Sequence, residues 1–216
     1  MSRLTILQPP NLMSLSRVFL TPLVGYFLWK GDIQSTHICA LLLIVAGLTD
    51  GLDGYLARRL GQVSELGKTL DPLADKLMAT SLIIMLIFFR DFPIWLAGIV
   101  VGRDIIILLA GLILFRGKKL VVPSNLAGKY AFTSIAFLIG SYIYRFPVGI
   151  YITTSLTLFL TGLSSFLYAR VFLRLKRGNQ LPISRDRPIW KTLRIVFNIS
   201  FLAVYFSFFF KFLGWM

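Results

Sequence analysis

Apolar residues run through this chain in long stretches broken by short polar knots. Leu12 to Trp29, Thr36 to Ala57, Asp71 to Phe89, Phe92 to Phe115, Leu126 to Tyr144 and Val148 to Phe172 are each long enough to cross a bilayer, for which a helix needs about 20 residues. The pattern predicts an all-α polytopic membrane protein with six transmembrane helices, built as a single membrane domain over residues 1–216. A seventh apolar stretch, Leu193 to Trp215, is rich in Phe and follows a polar basic segment. It is compatible either with another crossing or with a helix lying along the membrane interface.

The knots fall into two classes. Lys30-Gly31-Asp32, Arg90-Asp91-Phe92-Pro93 and Arg145-Phe146-Pro147 are short and marked by Gly or Pro, as turns are. Arg58 to Lys68, Arg116 to Ser124 and Lys176 to Lys191 are longer and richer in polar residues, so function is expected on their side. No internal repeat of the kind that builds inverted-repeat transporters is visible, and no low-complexity tract.

Composition places the chain in a bilayer: 56% of its residues are hydrophobic and 15% charged, with a mean hydropathy of +0.78. The net charge of +14 raises nucleic acid as a partner, but cytoplasmic loops collect Lys and Arg. With the N-terminus in the cytoplasm, nineteen of the 23 Lys and Arg fall on or near that side, leaving Lys30, Arg90, Arg145 and Lys211 opposite. The excess is then an orientation signal that also favours anionic headgroups, and no nucleic-acid partner is expected. The reading is a multi-pass protein of the cytoplasmic (inner) membrane. Met1 to Asn11 lack the pattern of a cleaved signal peptide, so the first span is expected to stay. Cys39 is the one cysteine, expected as a small apolar filler, and His37, the one histidine, as an interfacial residue.

Four of the nine acidic residues, Asp50, Asp53, Asp71 and Asp75, fall where the second span ends and the third begins. Carboxylates in membrane helices are costly unless paired or functional. At spacings of three and four, each pair shares a helix face, and like charges there repel. Two facing pairs make an oxygen-rich cage suited to hard divalent cations, Mg2+ or Mn2+. Gly54 and Ala57 are small enough to let a phosphorylated ligand approach the backbone, and the Arg58 guanidinium suits phosphate. Gly61 and Gly67 are expected to flank a bend into the third span. The competing readings are structural ion pairs with Arg58, Arg59, Lys68 and Lys76, and a cation channel or proton-coupled transporter. The ion pairs leave the glycines and the spacing unexplained, and intramembrane acids of a channel or transporter belong nearer mid-bilayer.

These residues resemble the signature of the CDP-alcohol phosphotransferases: two Asp separated by two residues, Gly, two residues, Ala-Arg, eight residues, Gly, three residues, Asp, three residues, Asp. Asp50, Asp53, Gly54, Ala57, Arg58, Gly67, Asp71 and Asp75 match every position. The resemblance covers the first six spans and does not extend to Leu193 to Trp215. It implies a six-helix homodimer with a cytoplasm-facing cavity for a CDP-linked donor, here CDP-diacylglycerol, and two divalent cations. Asp50, Asp53 and Asp71 would hold one ion, and Asp50, Asp71 and Asp75 the other, with Asp75 also the general base. Gly54, Ala57, Arg58 and Gly67 would line the CDP, with Thr49 at its edge. Asn11 is similar to a family residue near CDP, and capping of the first helix is its alternative role.

The signature leaves the alcohol acceptor open. Gly67 to Lys76, and Gly128-Lys129 followed by Thr133, are similar to phosphatidylglycerophosphate synthases, which use glycerol-3-phosphate. Arg103, Arg116 and Lys129 are candidate acceptor-binding cations, although Arg103 has Asp104 beside it as a local partner and Lys129 also suits an interface anchor. Leu48-Thr49-Asp50 and Arg103-Asp104 are also similar to cardiolipin synthases whose acceptor is phosphatidylglycerol, and inositol phosphate is a third option.

Overall fold

The computed structural model describes the backbone of residues 9–59, 65–114, 126–176 and 188–214, and the side chains of 20–49, 77–107, 109, 126–174, 195 and 198–214. It is all-helical: α1 (Pro9–Lys30), α2 (Ile33–Arg59), α3 (Glu65–Arg90), α4 (Ile94–Leu114), α5 (Leu126–Ile143), α6 (Pro147–Lys176) and α7 (Pro188–Leu213). Every apolar stretch read from the sequence has its helix. Among the described residues, Leu126–Ile143 and Pro147–Arg174 are long and apolar enough to cross a membrane. Ile33–Thr49, Leu77–Arg90 and Asn198–Leu213 are further apolar helical segments among those residues.

The chain divides into two units, residues 1–97 and 98–216. In the first, α1 packs on both α2 and α3, burying Val24 and Leu28 with Cys39, Ala46, Leu82, Ile83 and Leu86. Cys39 is the expected buried filler. The turn after α1 is built from its sequence: Gly31, at φ 71, takes the left-handed conformation and donates its N–H to the Phe27 carbonyl. Asp32 then caps α2, accepting the Ser35 N–H at 2.6 Å and the Ser35 hydroxyl at 3.0 Å.

Those two bonds hold the Asp32 carboxyl below its ordinary pKa, the backbone bond contributing most. A depressed carboxylate stabilises the fold above its unfolded pKa, near 4, and loses that contribution as pH falls through the folded value. Asp32→Ala is therefore expected to lower the unfolding temperature in detergent at pH 7, with the gap closing below about pH 4. A gap that stayed constant down to pH 3 would contradict the charged cap.

Arg90, read from the sequence as an outer-side cation, is 7% exposed. Its guanidinium donates to the Thr36 hydroxyl at 3.4 Å and the Phe89 carbonyl at 3.2 Å, tying the end of α3 to the start of α2.

In the second unit α5 and α6 form a hairpin, with α7 against α6. Membrane helices gain no hydrophobic drive against one another, so close approach and hydroxyl bonds hold them. The buried face of α6 places Thr153, Thr157, Thr161 and Ser164 three or four residues apart. Thr157 bonds Ser134 at 3.1 Å, and Thr153 reaches Ser141 at 3.4 Å.

The α5–α6 turn closes with the Arg145 N–H on the Tyr142 carbonyl and the Phe146 N–H on the Ser141 carbonyl, around a left-handed Arg145 at φ 49. This pair of bonds is the Schellman arrangement. Gly149 sits under Phe146: a Cβ there would meet the Phe146 ring and lie 2.9 Å from the Ser141 hydroxyl oxygen. Gly149→Ala is expected to destabilise the protein by about 1–3 kcal/mol through overpacking, measured by thermal unfolding in detergent.

Candidate active site

The four signature aspartates all lie in the first unit, on helices as their spacing predicts. α2 ends at Arg59 and α3 opens at Glu65, so the two carboxylate pairs occupy adjoining ends of consecutive helices. Asp53 and Asp71 are each six residues from the end facing the link, which at 1.5 Å per residue is about 9 Å in. Asp50 and Asp75 are about 14 to 15 Å in. The topology thus sets each pair at a similar distance along its own helix from the link. Their donor chemistry is four carboxylates with no thiolate or imidazole between positions 50 and 75, a set that fits hard divalent cations.

Gly54, Ala57 and Arg58 lie on the last turns of α2. The side chains of the aspartates, Ala57, Arg58 and Asn11 are outside the described residues, and Arg116 lies wholly outside them. Two expectations need correction. Gly67 does not flank the link: α3 begins at Glu65 and takes Gly67 into its first turn. Asn11 does not cap α1, because the helix begins two residues earlier, at Pro9, where proline's missing N–H costs nothing.

Thr49, one residue before the signature, is partly exposed. Its hydroxyl lies 2.9 Å from both the Val45 and Ala46 carbonyls and donates back into its own helix. Thr49 can therefore offer lone pairs to a ligand, and no proton.

Of the candidate acceptor cations, Arg103 and Lys129 stand in the second unit. Lys129 is exposed on the first turns of α5. Arg103 is held within a cluster: one terminal nitrogen lies 2.5 Å from Asp104, the other donates to Ser164 of α6 at 2.7 Å, and the guanidinium stands 5.9 Å from the Tyr168 ring centre. Adjacent residues do not face each other on a helix, so the Asp104 contact depends on the reach of the arginine. The side chain is 14% exposed. Its Nε is buried with no hydrogen-bond partner, as is the Thr161 hydroxyl one turn before Ser164.

Sequence reasoning anticipated the Asp104 pair and missed Ser164 and Tyr168. The available signal was the spacing of Thr161, Ser164 and Tyr168, which puts three polar groups on one face of an apolar helix.

Residues 7–170 match the CDP-alcohol phosphatidyltransferase family. A Drosophila melanogaster protein named probable cardiolipin synthase (CMP-forming) is 44% identical over 52% of this chain and 34% of its own length. Two proteins named CDP-diacylglycerol-glycerol-3-phosphate 3-phosphatidyltransferase are also similar. The Aquifex aeolicus one is 38% identical over 60% of this chain and 72% of itself. The Bacillus subtilis one is 37% identical over 56% of this chain and 68% of itself. The chain thus spans about a third of the fruit-fly relative's length and somewhat over two thirds of each bacterial one. The matched extent settles the class: this chain belongs to the CDP-alcohol phosphatidyltransferase family, a family of membrane-associated transferases.

Proposed function

We propose that this chain transfers a phosphatidyl group from CDP-diacylglycerol to glycerol-3-phosphate, giving phosphatidylglycerophosphate and CMP. The observation that carries this reading is the complete signature on the adjoining ends of α2 and α3, with each carboxylate pair a similar distance along its helix from the link. In the proposed arrangement α1 to α6 cross the membrane as one domain with the N-terminus in the cytoplasm, two copies associate, and the signature faces the cytoplasm. The membrane is the cytoplasmic one, as the distribution of Lys and Arg favours.

Asp50, Asp53, Asp71 and Asp75 would hold two divalent cations, Mg2+ or Mn2+, with Asp50 and Asp71 shared between them. Bound there, such ions neutralise the donor diphosphate and stabilise the departing CMP. Asp75 accepts the proton of the acceptor hydroxyl as its oxygen attacks the β-phosphorus of the donor, and the bond from that phosphorus to the CMP oxygen breaks. Gly54, Ala57 and Gly67 give the nucleotide room, Arg58 binds its phosphate, Asn11 lies toward it, and Thr49 accepts a hydrogen bond at its edge.

Glycerol-3-phosphate brings a phosphate that needs fixed cations. Arg103 suits it, because its Nε is a buried donor still unpartnered; Lys129 and Arg116 are its candidate companions. Relatives named for this acceptor, matched over more than two thirds of their length, support the choice.

A second reading, transfer to phosphatidylglycerol to give cardiolipin, is favoured by the 44% identity to the fruit-fly relative. Inositol phosphate is a third acceptor that the same cations suit. Purified protein with CDP-diacylglycerol and Mg2+, offered each acceptor separately, decides among them through CMP release. Release with glycerol-3-phosphate is expected. Release with phosphatidylglycerol alone would reverse the order, and release with none would remove this acceptor class.

A further inference from the structure

The matched family extent stops at residue 170, so α7 needs its own account. Its aromatic residues meet α5 and the α5–α6 turn in an ordered series. Phe201 and Tyr205 contact Phe137 with ring centres 5.6 and 4.9 Å apart. Tyr205 also places its hydroxyl 2.9 Å from the Ser141 hydroxyl, both groups buried. Phe209 meets Tyr144 at 5.0 Å, and Phe212 meets Phe146 at 5.0 Å. The first partner is Phe137, met by Phe201, and the last is Phe146, met by Phe212, with Tyr205 between them in contact with both.

We infer that α7 is a full transmembrane helix running parallel to α5, which sets residue 214 on the same side of the membrane as the α5–α6 turn. The inference rests on the proposed crossing of α5, which among the described residues is one of the two helices long and apolar enough to span. A helix lying along the interface crosses a spanning helix roughly at right angles, so it touches it over about one helix diameter, 10–12 Å. Here the contacts cover twelve residues of α7, about 16 Å along its axis, with Phe146 of the turn also meeting Tyr205 and Phe209 at 5.9 and 5.7 Å. The length also suffices. From Ile195 to Leu213 the one charged residue is Lys211, and those 19 residues rise about 28 Å, close to the hydrocarbon thickness of about 30 Å. Lys191 and Arg194 mark one boundary. Lys211, exposed in the last turn, extends its amine toward headgroups at the other.

The register is fixed by hydrogen bonding as well as by rings. Ser141 of α5 donates to the Phe137 carbonyl at 2.8 Å and so accepts the Tyr205 hydroxyl from α7 at 2.9 Å, which joins the two helices through a buried bond. A slip of α7 by one turn would leave the Tyr205 hydroxyl in an apolar environment without that partner.

The test uses the full chain with Cys39→Ala and single cysteines at Arg145→Cys, Arg174→Cys or Gly214→Cys, labelled in intact cells with a membrane-impermeant maleimide. The expected result is labelling at 145 and 214, and at 174 only after permeabilisation. Labelling at 145 but not at 214 until permeabilisation would overturn the inference while leaving the crossing of α6 in place. Labelling at 145 and 174 from one side would remove the crossing of α6 and the inference with it. As a second measurement, Tyr144→Cys with Phe209→Cys should be joined by a short bis-maleimide, read as retained mass after cleavage at a protease site placed within 177–187. Efficient joining of Tyr144→Cys with Asn198→Cys instead would overturn the parallel register.

Discussion

Asp75→Asn is expected to cut turnover with CDP-diacylglycerol and acceptor by about 100-fold or more, the usual loss when a general base is removed, while donor affinity changes only a few-fold. The asymmetry comes from chemistry. Asparagine keeps an oxygen of similar reach for a cation, but its amide cannot take up the hydroxyl proton at neutral pH. Donor affinity is read by displacement of labelled CDP-diacylglycerol, and turnover by CMP release. Asp75 lies about as far along α3 from the link as Asp50 does along α2, and it is one of the four carboxylates proposed to hold the ions. A near-normal rate would remove Asp75 from that role and turn the search to Asp53.

The second large effect is expected at Arg103. Arg103→Leu leaves Asp104 and Ser164 without the cation that joins them across α4 and α6. The pair is part-buried, with Asp104 34% exposed, so its loss costs less than that of a fully buried pair, roughly 1–2 kcal/mol. Arg103→Lys separates structure from acceptor binding. Lysine keeps the charge but presents it at one point, so it does not hold Asp104 and Ser164 and still offer a further donor. The expectation is a modest loss of thermal stability with a KM for glycerol-3-phosphate raised about tenfold, equivalent to about 1.4 kcal/mol. If KM stayed unchanged while stability fell, Arg103 would be a helix clamp alone.

The helices were legible because hydropathy has the period and length of the elements it drives. Their ends were not. α3 begins six residues before Asp71 because Glu65, Leu66 and Lys68 are good helix formers, although they contribute little to an apolar run. α1 begins at Pro9 because proline suits a first turn, which removes the capping role from Asn11. The signature was readable at full strength because its residues are close in sequence.

Partnerships across distance were hidden. Nothing local to Arg90 says that Thr36 receives it, and nothing local to Arg103 says that Ser164 and Tyr168 lie against it. The aromatic series was visible in α7 as a wealth of Phe and Tyr, but its direction depends on which residues of α5 each ring meets.

The placement of the carboxylates bears on the order in which the chain enters a bilayer. α5 and α6 contain no acidic residue and are joined by a turn closed with local bonds, so they can enter as a hairpin on their own account. α2 and α3 carry carboxylates near one end, and each intramembrane Asp opposes insertion by about 2.5–3.5 kcal/mol at a helix centre. Those two helices gain from entering after, or together with, neighbours that shelter their polar ends. Biogenesis would then depart from the simple N-to-C sequence of spans. A chain stalled on the ribosome with α1 to α3 exposed would resist alkaline extraction less well than one stalled after α6.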